Sequence, residues 1–449
     1  MASEWMETVL QQIAAKSDHA FAMGPFGSNI KAENYRESGV PVIRGTNLGK
    51  VSEPPFISDG FVFVDKEKAD DLGSSNCSAN DIIFVAQGTV GKVGIIPANT
   101  PYRRFVLSQN LMKVTVDPER ADPRFVFYFY RSSLGQHEIM SRVNPTGVPC
   151  ISKPLTSLRQ FAIRLPSDVQ EQRAIAHILG ALDDKIEGNR QMNATLEGMA
   201  RALFKSWFLD FDPVRAKAEG READLPKSSA ELFPDSLEDS EVGEIPTGWH
   251  VGRIEDIAEI NALTLSRTDP LDVIDYVEIS EVMRGDIANI VRYKRGSEPS
   301  RARRRLRHGD TVLSTVRPDR GAYFLALNPA ETLVASTGFA VLTPKSGVWA
   351  FLYSLVTRRE VGEHLGRLAD GGAYPAIRGE VIGRIRVPLP QTFEPILGFE
   401  QLARPLYEKS AQNRTQSQTL GQLRDALLPR LISGELRVPD AERIVGRQI

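Results

Sequence analysis

The spacing of hydrophobic residues along the chain changes from a β-type to a helical period, and it does so in both halves. In the first half, short apolar runs are separated by Gly, Pro and Asn, and they predict five strands at residues 40–44, 61–64, 82–86, 92–96 and 111–116. The apolar-aromatic stretch 124–131 follows Asp122-Pro123, a helix-start signal, and is predicted to be helical. This half is therefore expected to be an α+β domain.

From residue 168 the apolar positions follow spacings of four and three, as in the a/d seam of a coiled coil. The predicted seam of this first long helix consists of Ile175, Leu179, Leu182, Ile186, Asn189, Asn193, Leu196, Ala200, Leu203 and Trp207. Asp212-Pro213 is expected to end the helix, because proline cannot continue the hydrogen-bond ladder.

A second long helix is predicted near the end of the chain with the same spacing. Its predicted seam consists of Phe399, Leu402, Leu406, Lys409, Asn413, Gln416, Leu420, Leu423 and Leu427. Pro405 lies inside this pattern and predicts either a kink or a later start of the helix. Pro429 and Gly434 are expected to end it.

Both predicted seams are polar in the middle, which costs stability but fixes register and orientation. This match favours pairing of the two helices within one chain over two separate helices that each lie on their own domain. The predicted fold is α+β: two similar domains separated by two long antiparallel coiled-coil helices, with a pseudo-two-fold internal repeat. The expected segments are 1–166, 167–208, 209–248 (an acidic, Pro-rich connector), 249–392, 393–434 and 435–449 (a C-terminal tail).

The repeat is visible in the sequence itself. Each half opens with a Trp-led amphipathic segment, at residues 5–14 and 249–258. Each later reaches a Pro-x-Ile step, Pro149 to Ile151 and Pro375 to Ile377, before its long helix begins. We interpret this as a duplicated unit suited to binding two similar targets at a fixed distance.

Composition limits the class of protein. The chain has 449 residues, 41% hydrophobic and 25% charged, as in ordinary globular proteins of two domains. Cys77 and Cys150 are too few for a disulfide framework or a zinc site. No apolar run approaches the ~20 residues of a membrane span, and Glu4 and Glu7 argue against a signal peptide. A cytoplasmic protein without membrane partners is expected.

The net charge of −2 hides a local asymmetry. Residues 292–307 contain eight basic side chains and only one acid, Glu298, which predicts an anion-binding face unless the segment is a solvated loop. Predicted loops elsewhere carry side chains able to bond to base edges or phosphates. The candidate DNA contacts are Arg44, Thr46, Asn47, Thr89, Lys92, Ser108, Gln109, Asn110, Arg292, Lys294, Arg301, Arg303, Arg304, Arg305, Arg317 and Arg320.

Signatures of catalysis are missing from the sequence. The glycine-rich segment 88–92 lacks a phosphate-loop pattern, because Ala86 stands where Gly is required and Val93 where Ser or Thr would hold magnesium. No His-Glu-x-x-His metal motif occurs among the six histidines. We therefore predict no catalytic residue and no metal site.

The first long helix carries EQRAIA (171–176), LDDKIEGNR (182–190) and ALFKSWF (202–208), followed by DFDPVRAK (210–217). With GEIPTGW (243–249) and LLPRLISGEL (427–436), these motifs resemble specificity subunits of type I restriction–modification systems. The second helix lacks counterparts of FKSWF and DFDP. The resemblance covers the whole architecture and is specific in its combination of motifs.

This resemblance implies a non-catalytic subunit with two target recognition domains, 1–166 and 249–392, each reading one part of a split DNA site. The helices would act as a spacer and as a docking surface for two modification subunits, which would bind S-adenosylmethionine. Restriction subunits would add ATP- and Mg²⁺-dependent translocation and cleavage, and no cofactor is expected on this chain. The alternatives are a non-enzymatic coiled-coil scaffold for protein partners and a fused enzyme with an unrecognised active site.

Overall fold

The computed structural model describes residues 4–25, 29–49, 54–144, 146–222, 225, 227–266, 268–369 and 375–446. The strands in these ranges are β1 (Trp5–Val9), β2 (Phe21–Met23), β3 (Val40–Ile43), β4 (Val62–Val64), β5 (Asn76–Cys77), β6 (Ile82–Val85), β7 (Val93–Ile95), β8 (Phe105–Leu107), β9 (Leu111–Val114), β10 (Val143–Asn144), β11 (Cys150–Ile151), β12 (Ala162–Pro166), β13 (Leu237–Ser240), β14 (Gly243–Pro246), β15 (His250–Arg253), β16 (Ala258–Ile260), β17 (Val273–Val277), β18 (Val282–Met283), β19 (Asp286–Ile287), β20 (Val291–Lys294), β21 (Ala302–Arg305), β22 (Asp310–Ser314), β23 (Tyr323–Ala326), β24 (Leu333–Ser336), β25 (Phe339–Pro344) and β26 (Arg386–Leu389). The helices are α1 (Leu10–Ile13), α2 (Lys66–Asp71), α3 (Pro123–Arg131), α4 (Ser133–Ser141), α5 (Pro154–Arg159), α6 (Val169–Phe208), α7 (Asp212–Ala218), α8 (Lys227–Ala230), α9 (Ile254–Ile257), α10 (Trp349–Val356), α11 (Arg359–Leu368), α12 (Gly379–Gly383), α13 (Glu394–Ile432) and α14 (Val438–Val445).

The chain divides into two compact units. Unit 1 consists of Met1–Gly188 and Gln416–Ile449, and unit 2 consists of Asn189–Thr415. Each unit therefore combines one mixed α/β region with one half of α6 and one half of α13.

The two units repeat the same sheet topology. Within the described ranges, unit 1 has four-stranded sheets in the orders β2-β9-β6-β7 and β4-β3-β8-β5, and unit 2 has β16-β25-β22-β23 and β20-β17-β24-β21. The parallel pairings, β3 with β8 and β17 with β24, are at equivalent places. The five strands predicted in the first half are confirmed as β3, β4, β6, β7 and β9.

The predicted aromatic helix is confirmed as α3 and is buried along most of its length. Asp122 caps it by accepting a hydrogen bond from the Phe125 N–H at 2.9 Å. The Asp122 N–H in turn donates to Oε1 of Gln172, in the first turn of α6, at 2.9 Å. In unit 2, Glu400 of α13 acts at the start of α10, where its Oε1 accepts from the Phe351 N–H at 2.7 Å. A long-helix side chain therefore bonds to the start of the helix that follows the sheets in each unit: Gln172 to the N-cap residue of α3, and Glu400 to the first turn of α10.

In unit 1 the paired long-helix segments enclose a buried charge. Arg424 Nη1 donates to Asp183 Oδ1 at 2.6 Å, and the Tyr128 hydroxyl of α3 donates to Asp183 Oδ2 at 2.6 Å. Burial and the nearby Asp183 carboxylate raise the pKa of Tyr128 well above its ordinary value, so its hydroxyl remains a donor at neutral pH. Burial lowers the pKa of the neighbouring Arg131 to about 10. Ile175, Leu179, Leu182, Leu420 and Leu427 lie in the core around this group.

In unit 2 the corresponding layer consists of neutral amides, and the ion pair of Arg414 with Glu197 lies beside it. Asn413 Nδ2 donates to Asn193 Oδ1 at 2.9 Å, and Asn189 Nδ2 donates to the Asn413 carbonyl at 3.4 Å. Further along the pair, the rings of Phe204 and Phe399 have centroids 5.7 Å apart. Asn193 contacts Asn413, whereas Phe204, later in α6, contacts Phe399, earlier in α13. These segments of unit 2 are therefore antiparallel.

In the first turns of the second helix, the predicted seam is right at Phe399, which is buried, but wrong at Leu402 and Lys409. Leu402 is 41% exposed, and Lys409 is exposed, whereas Ala403, Tyr407 and Ser410 are buried. Leu406 and Gln416 are only partly buried. The buried positions in these turns follow Leu402, Leu406 and Lys409 by one residue, and the small Ala403 and the polar Ser410 are not marked by apolar spacing.

The start of α13 and the seam of α6 were also predicted from the sequence. α13 begins at Glu394, well before Pro405, so the alternative of a later helix start is wrong. Of the first-helix seam, Asn189, Asn193 and Ala200 are buried, and Ile186, Leu196 and Leu203 are partly buried.

Residues after each long helix pack into a core. In unit 1, Leu436, Ala441 and Val445 are buried, and a Cβ at Gly434 would lie only 2.9 Å from Nε1 of Trp5. The segment expected to be a C-terminal tail is thus folded as far as it is described. In unit 2, Phe211 packs on Trp249 with ring centroids 5.8 Å apart, so the expected connector is also folded where it leaves α6. Trp5 and Trp249, which open the two repeats, therefore each pack against residues that directly follow a long helix.

None of the helices in the described ranges combines the length and hydropathy that crossing a bilayer requires. Nor do three or more His, Cys, Asp or Glu side chains of these ranges converge as they would around a metal ion.

Candidate nucleic-acid interface

In unit 1 several candidate residues meet at one edge of the sheets. The Ser108 N–H donates to the Ile43 carbonyl at 2.8 Å, and the Ala86 N–H donates to the Asn110 carbonyl at 2.7 Å. These bonds join the ends of β3, β6 and β8, and they bring the 44–47 and 108–110 segments together. We call this group of loops the unit 1 edge: residues 44–47, 86–92, 108–110 and 149–151.

Three of the candidates at this edge have internal partners. Asn47 is buried, and its Nδ2 donates to the carbonyls of Ile57 and Asp59 at 3.0 and 3.1 Å. Lys92 Nζ donates to the Leu48 carbonyl at 2.8 Å, and Arg44 Nη2 donates to the Gly60 carbonyl at 2.6 Å. Asn47 was expected to face a ligand, and the structure corrects this: its amide shapes the loop instead.

The remaining candidates of this edge offer their side chains to solvent. Thr46, Thr89 and Gln109 are exposed, and Ser108 and Asn110 are half-exposed. Asn110 has φ +71°, a left-handed conformation that asparagine tolerates in tight turns. Hydroxyl and amide groups of this kind can donate to or accept from base edges.

A helix outside the predicted set holds the unit 1 edge in place. Gln136 of α4 donates from Nε2 to the Gly91 carbonyl at 2.9 Å and to the Tyr130 carbonyl at 2.7 Å. No local sequence signal marks Gln136, because its partner is 45 residues away in the chain.

The Pro-x-Ile step of each half has an equivalent role. In unit 1 the Gly88 N–H donates to the Pro149 carbonyl, and the Ile151 N–H donates to the Ala86 carbonyl, both at 2.9 Å. In unit 2 the Arg317 N–H donates to the Pro375 carbonyl and the Ile377 N–H to the Thr315 carbonyl, again at 2.9 Å. The repeated motif therefore fixes the loop after β6 in unit 1 and after β22 in unit 2. We call residues 315–321, 337–338 and 375–377 the unit 2 edge.

The basic segment 292–307 is not a solvated loop, so that alternative is wrong. Its ends form β20 and β21 of one sheet. Four of its arginines make ion pairs, which neutralise much of its charge: Arg292 with Asp275 (2.7 Å), Arg295 with Glu298 (2.5 Å), Arg303 with Glu298 (3.7 Å) and Arg305 with Asp269 (3.3 Å).

Arg304 differs from its neighbours in this segment. Burial lowers the pKa of its guanidinium, and its buried Nε has no hydrogen-bond partner among the described residues. Lys294, Arg301 and Arg307 are exposed and form no ion pair with another described residue. These three side chains are therefore the ones of this segment that remain open to an anionic ligand.

At the unit 2 edge, the candidates Arg317 and Arg320 flank a 3-10 turn over Pro318–Arg320. Arg317 has φ +47° and Gly321 has φ +78°, so the turn begins and ends in the left-handed region. Arg320 is exposed. The two edges have the same backbone plan and different side chains.

A family model described as the type I restriction modification DNA specificity domain matches residues 27–198. The chain is 29% identical over 474 residues to the HindI specificity subunit of Haemophilus influenzae, with 93% of this chain and 99% of that one covered. It is 28% identical to the MjaIX specificity subunit of Methanocaldococcus jannaschii, with 92% and 90% covered.

Over nearly its whole length the chain is similar to type I restriction–modification specificity subunits. Its fold agrees: the crystal structure of an S subunit from M. genitalium superposes with a TM-score of 0.57 at 15% identity, over 96% of both chains. The family model matches only residues 27–198. Unit 2 resembles that matched region through the sheet topology that both units share.

Proposed function

We propose that this specificity subunit reads a bipartite DNA site, with one half read at the edge of unit 1 and the other at the edge of unit 2. The observation that carries this proposal is the repeated edge, in which the same strand order and the same Pro-x-Ile hydrogen bonds present loops of different composition. Equivalent scaffolds with different loops suit recognition of two different base sequences.

The side chains at the two edges favour different contacts. Exposed Thr46, Thr89 and Gln109 at unit 1 can bond to base edges, whereas Arg320 at unit 2 can bind guanine or phosphate. Exposed Arg301 would add a phosphate contact, because its carbonyl accepts from the Thr337 N–H of the same edge at 2.8 Å. We expect these contacts to make affinity depend on salt more steeply at the unit 2 half-site, because only charged side chains displace counterions from phosphates.

The long helices would set the distance between the half-sites. α6 has 40 residues and is therefore ~60 Å long at 1.5 Å per residue. Half-sites one turn of DNA apart are separated by ~34 Å. A helix pair of this length is sufficient to serve as a spacer.

The chemistry would come from partners. Two modification subunits would dock on the helix pair and bring S-adenosylmethionine for methylation of adenine, and restriction subunits would bring ATP- and Mg²⁺-dependent cleavage. The specificity subunit itself is not catalytic. Purified alone, it should transfer no labelled methyl group to DNA.

The test is to map methylated adenines in DNA from cells that express this chain with its modification partner. We expect one bipartite motif with two defined halves and an unspecified spacer of fixed length. Methylation without such a motif would contradict the proposal. If no methylation depends on the chain, and the chain instead retains a protein partner without DNA, the scaffold alternative would be supported.

A further inference from the structure

A hairpin of unit 2 is held by a side chain of α13. Strands β18 and β19 form this hairpin, and Asp286 Oδ1 accepts a hydrogen bond from Arg414 Nε at 2.6 Å. Arg414 also donates from Nη1 to Ser410 Oγ at 2.9 Å, and from Nη2 to Glu197 Oε1 of α6. One guanidinium thus joins both long helices to the hairpin.

The hairpin turn fits closely around this guanidinium. Gly285 has φ +94°, and a Cβ there would lie 3.0 Å from Arg414 Nη2 and 3.3 Å from the Tyr353 hydroxyl oxygen. Only glycine combines this backbone conformation with this approach. Burial disfavours the charged guanidinium, but Glu197 and Asp286 more than offset it and raise the pKa of Arg414.

The other side of the hairpin contacts the unit 2 edge. The Arg284 N–H donates to the Gly321 carbonyl, and the Gly285 N–H donates to the Tyr323 carbonyl, both at 2.7 Å. Gly321 directly follows Arg320 and closes the turn that begins at Arg317. The hairpin therefore connects Arg414 to the turn that carries both arginines.

The same turn packs on α11 on another side. A Cβ at Gly362 would lie 3.3 Å from the Pro318 carbonyl oxygen, and one at Gly366 would lie 3.0 Å from Asp319 Cβ. With α11 on this side and the hairpin on the other, the position of the turn depends on both supports.

We propose that Arg414 is a positioning residue for sequence reading by unit 2, because its bond to Asp286 fixes hairpin β18–β19 against the Arg317–Gly321 turn. The inference rests on the proposed function, since it assigns a determinant of specificity to a residue that does not itself lie at the edge. In unit 1, the buried arginine of α13, Arg424, pairs instead with Asp183, so the two half-sites should respond differently.

The experiment uses the complete complex with modification subunits and the bipartite site mapped for the wild type. Methylation rates are measured on the cognate duplex and on duplexes with each single-base change in either half. A chimera in which residues 249–392 come from another specificity subunit identifies the half that unit 2 reads. The variants are Asp286→Ala, Asp286→Glu and Arg414→Gln.

We expect Asp286→Ala and Arg414→Gln to reduce discrimination at the unit 2 half by about fivefold or more, the scale of one lost base contact. Discrimination at the unit 1 half should not change, and Asp286→Glu should restore part of the effect. Asp286 is 72% exposed as a side chain, so its replacement leaves the core intact. The matched control is Asp184→Ala, which removes a 70% exposed partner of Arg124 in unit 1.

Unchanged discrimination in Asp286→Ala and Arg414→Gln would overturn the inference, and so would equal loss at both halves. If the chimera changes neither half-site, the proposed function itself fails. If the chimera changes one half and Asp286→Ala does not affect that half, the inference alone fails.

Discussion

The two units share their sheet topology but differ in the polar layer where α6 meets α13. Unit 1 buries the charged pair Arg424–Asp183 with the Tyr128 hydroxyl, whereas unit 2 buries the neutral amides Asn193 and Asn413. A buried charge that loses its partner is costly, whereas a lost amide bond costs less. The two units therefore pair the same helices through polar layers that differ in the cost of losing a partner. The unit 1 layer should be the more sensitive to substitution.

The largest effect is expected for Asp183→Ala. It removes the buried carboxylate that accepts from both Arg424 and Tyr128, while Arg424 keeps its bond to the more exposed Asp425, and it should lower the free energy of unfolding by about 3–5 kcal/mol. Asp184→Ala removes the neighbouring exposed pair with Arg124 and should cost less than about 1 kcal/mol. Denaturant unfolding of both variants measures the difference, and equal losses would remove the distinction between the two layers.

A smaller loss is expected in unit 2. Asn193→Ala leaves the buried Asn413 amide without its acceptor and should cost about 1–3 kcal/mol. Replacing both Asn193 and Asn413 by Leu should restore most of this stability, because an apolar pair has no polar group to satisfy. The double variant should also lose definition of helix register, seen as broadened amide resonances. Full retention of a single register would argue that the amides do not specify it.

The smallest effect concerns the backbone N–H groups at the starts of α3 and α10, where neutral Gln172 accepts from Asp122 in unit 1 and Glu400 accepts from Phe351 in unit 2. Burial raises the pKa of Glu400, against hydrogen bonds from Arg404 and the Phe351 N–H that lower it. Above the ordinary value of 4.5, the folded state then binds more protons than the unfolded state, so stability falls as pH rises through the folded pKa.

Glu400→Gln should remove this fall, so the stability difference between variant and wild type should grow in the variant's favour as pH rises through that window. Urea unfolding at a series of pH values measures it, and Glu408→Gln, an exposed change on the same helix, is the control. A difference that does not vary with pH would mean that Glu400 titrates as it does in the unfolded chain.

The repeat, the two long helices and five strands could be predicted because each rests on a local pattern or on a duplicated motif. The seam of α13 over residues 402–410 could not, because Ala403 and Ser410 occupy buried positions that no hydrophobic spacing marks. Strand β8 was missed, although β4 and β7, which also have three residues, were predicted. Short strands are specified by their neighbours more than by their own composition.

The candidate interface was predictable only as a set of loops. Sequence identified Arg44, Ser108 and Arg317, which the fold places at the two edges, but it could not distinguish Asn47, whose partners are 10 and 12 residues away. The sequence also overstated the free positive charge of the basic segment 292–307. Asp275 and Asp269, which neutralise Arg292 and Arg305, lie on other parts of unit 2. Pairing across a sheet is not encoded in a run of like charges.

The proposed function requires α6 and α13 to set the distance between the two half-sites that the units read. The measurement is the methylation motif of a variant with four residues inserted after Gly188 and four after Thr415, where the units divide. One added turn is ~6 Å, or roughly two base pairs at 3.4 Å each. A four-residue insertion after the exposed Gly220 is the control, with no change of motif expected. The account predicts the same two half-sites with a spacer longer by about one or two base pairs. Methylation at the original spacing, or altered half-site bases, would contradict it.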